Sequence, residues 1–197
     1  MPKLQLFYPV KPWSVSQGFG IENTAPSMIE KYKSIGLKAH NGIDIRCRDA
    51  QPVRASHDGI VTFTGEDGSG GLGVVIRTET QFDYLDKQAF FKTLYWHLKP
   101  NTFKVKAGQK VVTGDILALA DNTGMSTGTH LHWGCKPVYK GEEDWKWWNA
   151  ENENGYGGAV NAQPFLTGIY AEDAVKYKGL LVSLVGLLEK LLALLKK

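Results

Sequence analysis

The stretch THLHWG, residues 129–134, sets two histidines one leucine apart. In an extended strand residues i and i+2 point to one face, so His130 and His132 would present two imidazoles side by side. Such a pair can bind a metal ion, move protons, or be an ordinary polar pair. A second patch, HNGIDI, carries His40 and, four residues on, Asp44, with Ile43 and Ile45 alternating around the acid. A catalytic zinc site takes three protein ligands from His and Asp or Glu and keeps a fourth position for water. His40, Asp44 and one of His130 and His132 would supply that set. The other histidine of the pair would then stand beside the metal as a proton-transfer group, and His97, in LYWHL, offers a second such group. H-x-H is a weak signal alone and H-x-x-x-D a weaker one; together, with a third histidine at a strand end, they are much stronger. His57, in RASHDGI before an Asp-Gly turn, reads as a structural histidine. The chain has no H-E-x-x-H, so a histidine and not a glutamate should act as general base.

These residues need strands to hold them. The chain has 197 residues, 43% of them hydrophobic, enough for one domain with a real core and an appendage. Its 22 glycines favour tight turns between short strands. From residue 40 the runs GIDIRC, PVRAS, GIVTFTGED, GVVIRTET, KTLYWHL, KVVTGDILALA and HLHWGCKPV are rich in Val, Ile, Thr and aromatics and are separated by turn residues. Many short strands without alternating long helices predict a mainly β fold, an antiparallel sheet or barrel-like sandwich. A short helix is expected around SMIEKYKSIG, stopped by Gly36. The glycine-rich GEDGSGGLG and DNTGMSTGTH read as hairpin turns, with walls of a narrow cleft as the functional alternative; neither has the Lys-Ser/Thr of a phosphate loop.

Residues 136–162 break the strand rhythm and read as a long surface excursion carrying Trp145, Trp147 and Trp148. The tail YKGLLVSLVGLLEKLLALLKK is a strong helix former. Its Ser183, Gly186, Glu189, Lys190, Ala193 and Lys197 leave a narrow polar stripe beside a wide apolar face. The expected organisation is one domain over residues 1–170 and an amphipathic helix over 171–197. The net charge of +3 comes from scattered lysines, which is no nucleic-acid footprint and allows only weak attraction to polyanionic surfaces. No stretch reaches 18 uninterrupted apolar residues, so no spanning helix is expected. The segment MPKLQLFYPVKPWSV has no continuous apolar region of the kind a secretory signal needs. Cys47 and Cys135 read as two reduced thiols.

Taken in order, SQGFG, HNGIDI, PVRASHDGIV, LYWHL and VKAGQKVVTGDILALADNTGMSTGTHLHWG resemble the lysostaphin-type (LytM-like) zinc endopeptidases that cut peptidoglycan peptides. The resemblance runs from about Ser16 to Pro137, with an echo at VNAQPFL, residues 160–166. It implies the lysostaphin-type fold, zinc held by His40, Asp44 and His132, and His97 and His130 as catalytic residues lining the cleft. Residues 136–162, the tail and the long stretch TETQFDYLDKQAFFK fall outside the common pattern, which leaves substrate choice and partners open.

The implied chemistry is zinc-assisted hydrolysis of peptide bonds in peptidoglycan stems or cross-bridges. The metal would acidify a water and polarise the scissile carbonyl, while His97 and His130 would handle the proton and the oxyanion. A catalytically silent cell-wall binding or activating module is the alternative, as is a structural virion component with a peptidase-like domain. The expected setting is synthesis in the cytoplasm and action on the cell wall, after release or on a phage particle. The Trp145–Trp148 segment is expected to form a lip over the cleft. Residues 179–197 need a cover, whether a second copy, a membrane surface or the domain itself, because leaving each large apolar side chain in water forgoes about 1.5–3 kcal/mol.

Overall fold

The computed structural model describes residues 3–140, 147–149 and 154–195. Strands β1 (Leu6–Tyr8) and β2 (Val15–Gln17) lead into helix α1 (Pro26–Ser34). Pro26 suits the first helical position, Lys31 and Lys33 face the negative end, and the chain leaves through Gly36 at φ +77°. Then follow β3 (Ile43–Arg46), β4 (Pro52–Arg54), β5 (Gly59–Asp67), β6 (Gly71–Arg77), β7 (Phe82–Tyr84), β8 (Lys87–Trp96), β9 (Lys110–Val111), β10 (Ile116–Leu119) and β11 (His130–Lys140). Strands β12 (Trp147–Asn149) and β13 (Leu166–Tyr170) and helix α2 (Ala171–Leu195) complete the chain.

The main sheet runs β2-β3-β11-β8-β6-β5-β9, with β12 added to β11 and β7 to β8, every pairing antiparallel. A ribbon of β4 and β10 is also antiparallel, and β1 pairs parallel with β13. The architecture is therefore mainly β with antiparallel sheets, as the run of short strands predicts.

Strand alternation divides the sheet into two faces. Ile43 and Ile45 of β3, Phe91 and Tyr95 of β8, and Leu131, Trp133 and Cys135 of β11 are buried against Val53 and Leu117 of the ribbon and Leu6 of β1. The intervening Asp44, Lys92, Leu94, His130, His132 and Lys136 stand on the other, open face. His57 belongs to the buried side. Its Nδ1–H donates to the Asp58 carbonyl at 2.8 Å, and its Nε2 meets Thr93 Oγ1 at 2.9 Å, which lies 3.0 Å from Tyr95 Oη. Cys47 and Cys135 are both free thiols.

One boundary differs from the sequence reading. Residues 136–140 do not open a surface excursion; they continue β11, paired to β8 through Val138 and to β12 through Lys140. The glycine and acid signal that marked the excursion begins only at Gly141, and Lys136-Pro137-Val138 still alternates as a strand.

Helix α2 is tied at its start. Lys11 Nζ reaches Asp173 Oδ2 at 2.9 Å and Glu172 Oε1 at 3.4 Å, and Ala171 is fully buried. Beyond that turn Val175, Tyr177, Leu180, Leu184, Val185, Leu187 and Leu188 face solvent. Leu180 and Leu184 border a shallow groove with Phe7 and Val112, yet remain 60% and 56% exposed, so the domain does not cover them. Among the described residues no helix is long and apolar enough to cross a membrane.

Candidate metal centre

The open face gathers the chemistry-bearing residues because of register. His132 of β11 stands directly opposite Asp44 of β3 on one side and Trp96 of β8 on the other. Facing residues on neighbouring strands have Cβ atoms about 4.5–5.5 Å apart, close enough for short side chains to meet. His40 enters from the loop before β3 and is 1% exposed. Its Nδ1 lies 2.7 Å from the Gly18 carbonyl, which can only accept, so the neutral ring carries its proton there and leaves a lone pair on Nε2.

That lone pair meets two more donor atoms. His40 Nε2 is 3.0 Å from Asp44 Oδ1 and 3.0 Å from His132 Nδ1, and those two atoms are 2.9 Å apart. One proton on His132 Nδ1 can serve only part of this triangle; its other contacts set lone pair against lone pair. A cation at the centre resolves all three. Two imidazole nitrogens and one carboxylate oxygen, all within 4.8 Å of one another, are the donor set that zinc takes in catalytic sites. The residues present thus fit the metal.

The other two histidines flank this cluster. His97 follows the last residue of β8 at φ +65°, a left-handed conformation unusual for a side chain of its size. Its N–H donates to Gly70 O at 3.1 Å, its carbonyl accepts from Asp121 N–H at 2.9 Å, and its Nδ1–H donates to Thr123 O at 2.6 Å. His130 Nδ1–H donates to Gly128 O at 2.7 Å, and its Nε2 lies 3.6 Å from Asp44 Oδ2. The two rings are 4.5 Å apart between centroids, and both have Nε2 as the free acceptor when neutral.

Electrostatics match these roles. Burial pushes the Asp44 carboxyl up, but the ring nitrogens of His132 and His40 set against it hold it well below the usual carboxylate range. Burial lowers His132. It also lowers His97, to about 4, with the charges of His130 and His132 adding to the effect. At neutral pH the carboxylate is ionised and these imidazoles are neutral, the forms that ligate metal and accept protons. Burial and the Asp44 charge push Tyr32, whose ring lies 5.7 Å from His40, up to about 12, so it stays a neutral phenol.

The structure therefore brings Asp44, His97, His130 and His132 to one cavity on the open face, with His40 buried against Asp44 and His132; His57 lies apart. Both glycine-rich stretches wall that cavity, through Asp67, Ser69 and Gly70 on one side and Met125, Ser126 and Thr127 on the other. They meet where Gly71 and Gly124 touch: a Cβ on Gly71 would lie 2.5 Å from Gly124 N. The sequence reading missed the carbonyls of Gly18, Thr123 and Gly128, which carry no side-chain signal. It also missed Gly42, where a Cβ would lie 2.6 Å from His132 Nε2; its signal was the glycine inside HNGIDI. Trp145 lies outside the described residues, as do the side chains of Trp147 and Trp148, so the expected lip does too. Strand β12 pairs with Val138, Tyr139 and Lys140, at the end of β11 away from His132.

The sequence model of peptidase family M23 matches residues 38–143, more than half of the chain and every member of the cluster. The chain belongs to peptidase family M23. Among the relatives of this M23 chain, the DD-carboxypeptidase/endopeptidase Mpg of Neisseria meningitidis is 38% identical over 96 residues, which are 49% of this chain and 20% of Mpg. The chain thus spans only about a fifth of that relative's length. A zinc-containing peptidase from Vibrio cholerae has a similar structure, with TM-score 0.53 and 27% identity over 74% of this chain and 39% of that one. The catalytic domain of lysostaphin from Staphylococcus simulans gives TM-score 0.55 at 23% identity, over 78% of this chain and 91% of the domain, and shares the fold.

Proposed function

We propose that this M23 chain is a zinc-dependent endopeptidase that hydrolyses peptide bonds of peptidoglycan, with the D,D cross-link as its target. The convergence of His40 Nε2, Asp44 Oδ1 and His132 Nδ1 beside two further histidines carries this reading. The name of Mpg supports the D,D bond, and the zinc-containing neighbour supports the metal. His40, Asp44 and His132 would hold the zinc, which supplies Lewis acidity toward a carbonyl and toward water near neutral pH. His97, fixed through Thr123, presents Nε2 to accept a proton. His130, fixed through Gly128 and beside Asp44, can, once its Nε2 is protonated, donate that proton to a developing oxyanion or leaving amine. Action on the cell wall, after release or on a phage particle, goes with this substrate.

Zinc analysis of the purified chain, combined with mass spectrometry of digested cross-linked peptidoglycan, tests the proposal. Stoichiometric zinc and new termini at D,D bonds are expected. New termini in a glycine bridge would reassign the bond, and neither zinc nor turnover would favour a silent binding or activating module. The exposed Leu180, Leu184, Val185, Leu187 and Leu188 of α2 support contact with a second copy or a membrane surface through residues 179–197. Sedimentation of the intact chain and flotation with anionic vesicles separate those two.

A further inference from the structure

The open face of the sheet carries a second group of charged residues that catalysis leaves unused. Arg77 of β6 is the register partner of Lys92 of β8, and Lys92 is the register partner of Lys136 of β11. Three cations therefore stand in one row across three adjacent strands, all half-buried. Like charges directly opposite each other are destabilising, so the row costs the sheet stability that an anion bound across it would return. Burial lowers the pKa of all three; the Arg77 charge adds to this at Lys92, and the Lys92 charge adds to it at Lys136, where the pull of Asp67 does not offset it. Among the described residues no carboxylate forms an ion pair with Lys92 or Lys136.

The row belongs to the same groove as the metal centre. Lys136 lies on β11 four residues beyond His132, on the same face, at about 14 Å. Leu94 and Trp96 form the floor between them. With Asp67 and Lys136, they line both the cavity that holds the histidines and the one that holds Arg77 and Lys92. The floor is low by construction: a Cβ on Gly73 would lie 1.9 Å from Trp96 Cε3. An extended peptide rises about 3.3 Å per residue, so a chain lying in this groove with its scissile bond at the metal centre places a group about four residues away on the row.

We propose that Arg77, Lys92 and Lys136 form an anion anchor that receives a free carboxylate of the peptide cut at the His40–Asp44–His132 centre. This rests on the peptidase reading and deepens it: the substrate is an acidic stem peptide, and the anchor sets which register of that peptide reaches the metal. An anion on the same molecule as the bond is favoured over a separate one because floor and row are continuous with the site.

The test uses the full chain and two synthetic D,D-cross-linked peptides, one with its carboxylates free and one with them amidated. Lys92→Met and Lys136→Met keep the apolar stem of each side chain and remove its charge. The parent should prefer the free-carboxylate peptide, and each variant should raise KM for it by about 10- to 100-fold, the range of one charge-assisted hydrogen bond. The preference between the two peptides should shrink toward one. Equal losses on both peptides, or no change on either, overturn the anchor. If the chain's own acids neutralised the row, the variants would lower the melting temperature and leave KM unchanged, which also overturns it. Absence of turnover on every peptide would count against the peptidase reading instead. Calorimetric titration of the free-carboxylate peptide into parent and variants would then still decide the anchor, weaker binding by the variants supporting it and equal binding overturning it.

Discussion

His40 and His57 are both buried, at 1% and 5% exposure, and both engage two ring nitrogens. Each donates Nδ1–H to a backbone carbonyl, Gly18 for one and Asp58 for the other. They part at Nε2. His57 meets a hydroxyl that can donate, and a chain of hydroxyls closes behind it. His40 meets a carboxylate and another imidazole, with too few protons among the three. Burial alone does not separate a structural histidine from a candidate ligand; the partner of the second nitrogen does. One pocket is complete as a neutral hydrogen-bond network, and the other is complete only with a cation.

The largest effect should come from removing a corner of the second pocket. His132→Ala deletes one of the three proposed ligand atoms and leaves Asp44 and His40 facing each other at 3.0 Å. Loss of stoichiometric zinc by elemental analysis and loss of turnover are expected together. A variant that holds zinc as tightly as the parent would erase the contrast with His57.

Next in size are the two histidines beside the cluster. His97→Ala and His130→Ala should each keep zinc and lose about 10²–10⁴-fold in kcat, the usual worth of a positioned proton-transfer group. Zinc content and kcat measured on one preparation separate these residues from the ligands. Near-parental digestion by both variants would leave the flanking pair without a chemical role. A smaller effect is expected at Gly42, where a methyl group would lie 2.6 Å from His132 Nε2. Gly42→Ala should weaken zinc binding by about 10- to 100-fold, as disturbance of a ligand's support does. Gly36→Ala, at φ +77° with open space around it, should cost stability and leave zinc affinity alone.

The contrast also explains what was readable in the sequence. H-x-H and H-x-x-x-D could be read because strand alternation fixes which side chains share a face, and the alternating Ile43-Asp44-Ile45 marks that face. His57 could be set aside because an Asp-Gly turn follows it. The supports could not be read: the Gly18, Thr123 and Gly128 carbonyls come from backbone, which every residue supplies. Register was equally hidden. Arg77, Lys92 and Lys136 are 15 and 44 positions apart and look like scattered lysines and arginines until β6, β8 and β11 are laid side by side. The end of β11 was misplaced because Gly and acid residues just beyond Lys140 dominate a local reading, whereas pairing with β8 and β12 decides where a strand stops.

The smallest effect tests the neutral pocket directly, through pH. Burial lowers the pKa of His57 in the folded chain, only partly offset by the Asp58 carbonyl and charge. In the unfolded chain it titrates near ~6.5. Above that pH both states hold a neutral ring, and it contributes no pH dependence. As pH falls below ~6.5 the unfolded chain takes up a proton that the folded chain refuses until its own lower pKa. The unfolded state then binds more protons, so stability falls with acid across that window and levels off below the folded pKa. His97 and His132 shift in the same direction, so the parent loses stability through several histidines at once. His57→Gln keeps an amide nitrogen near Thr93 and removes only its own share. Melting temperatures from pH 7.5 to 5, measured with chelator so that metal release adds no slope, should fall less steeply for the variant than for the parent. An unchanged slope would mean that His57 takes up its proton equally in both states, and a steeper one that the folded chain already holds that proton at neutral pH; either result would end the reading of the pocket as the neutral counterpart of His40.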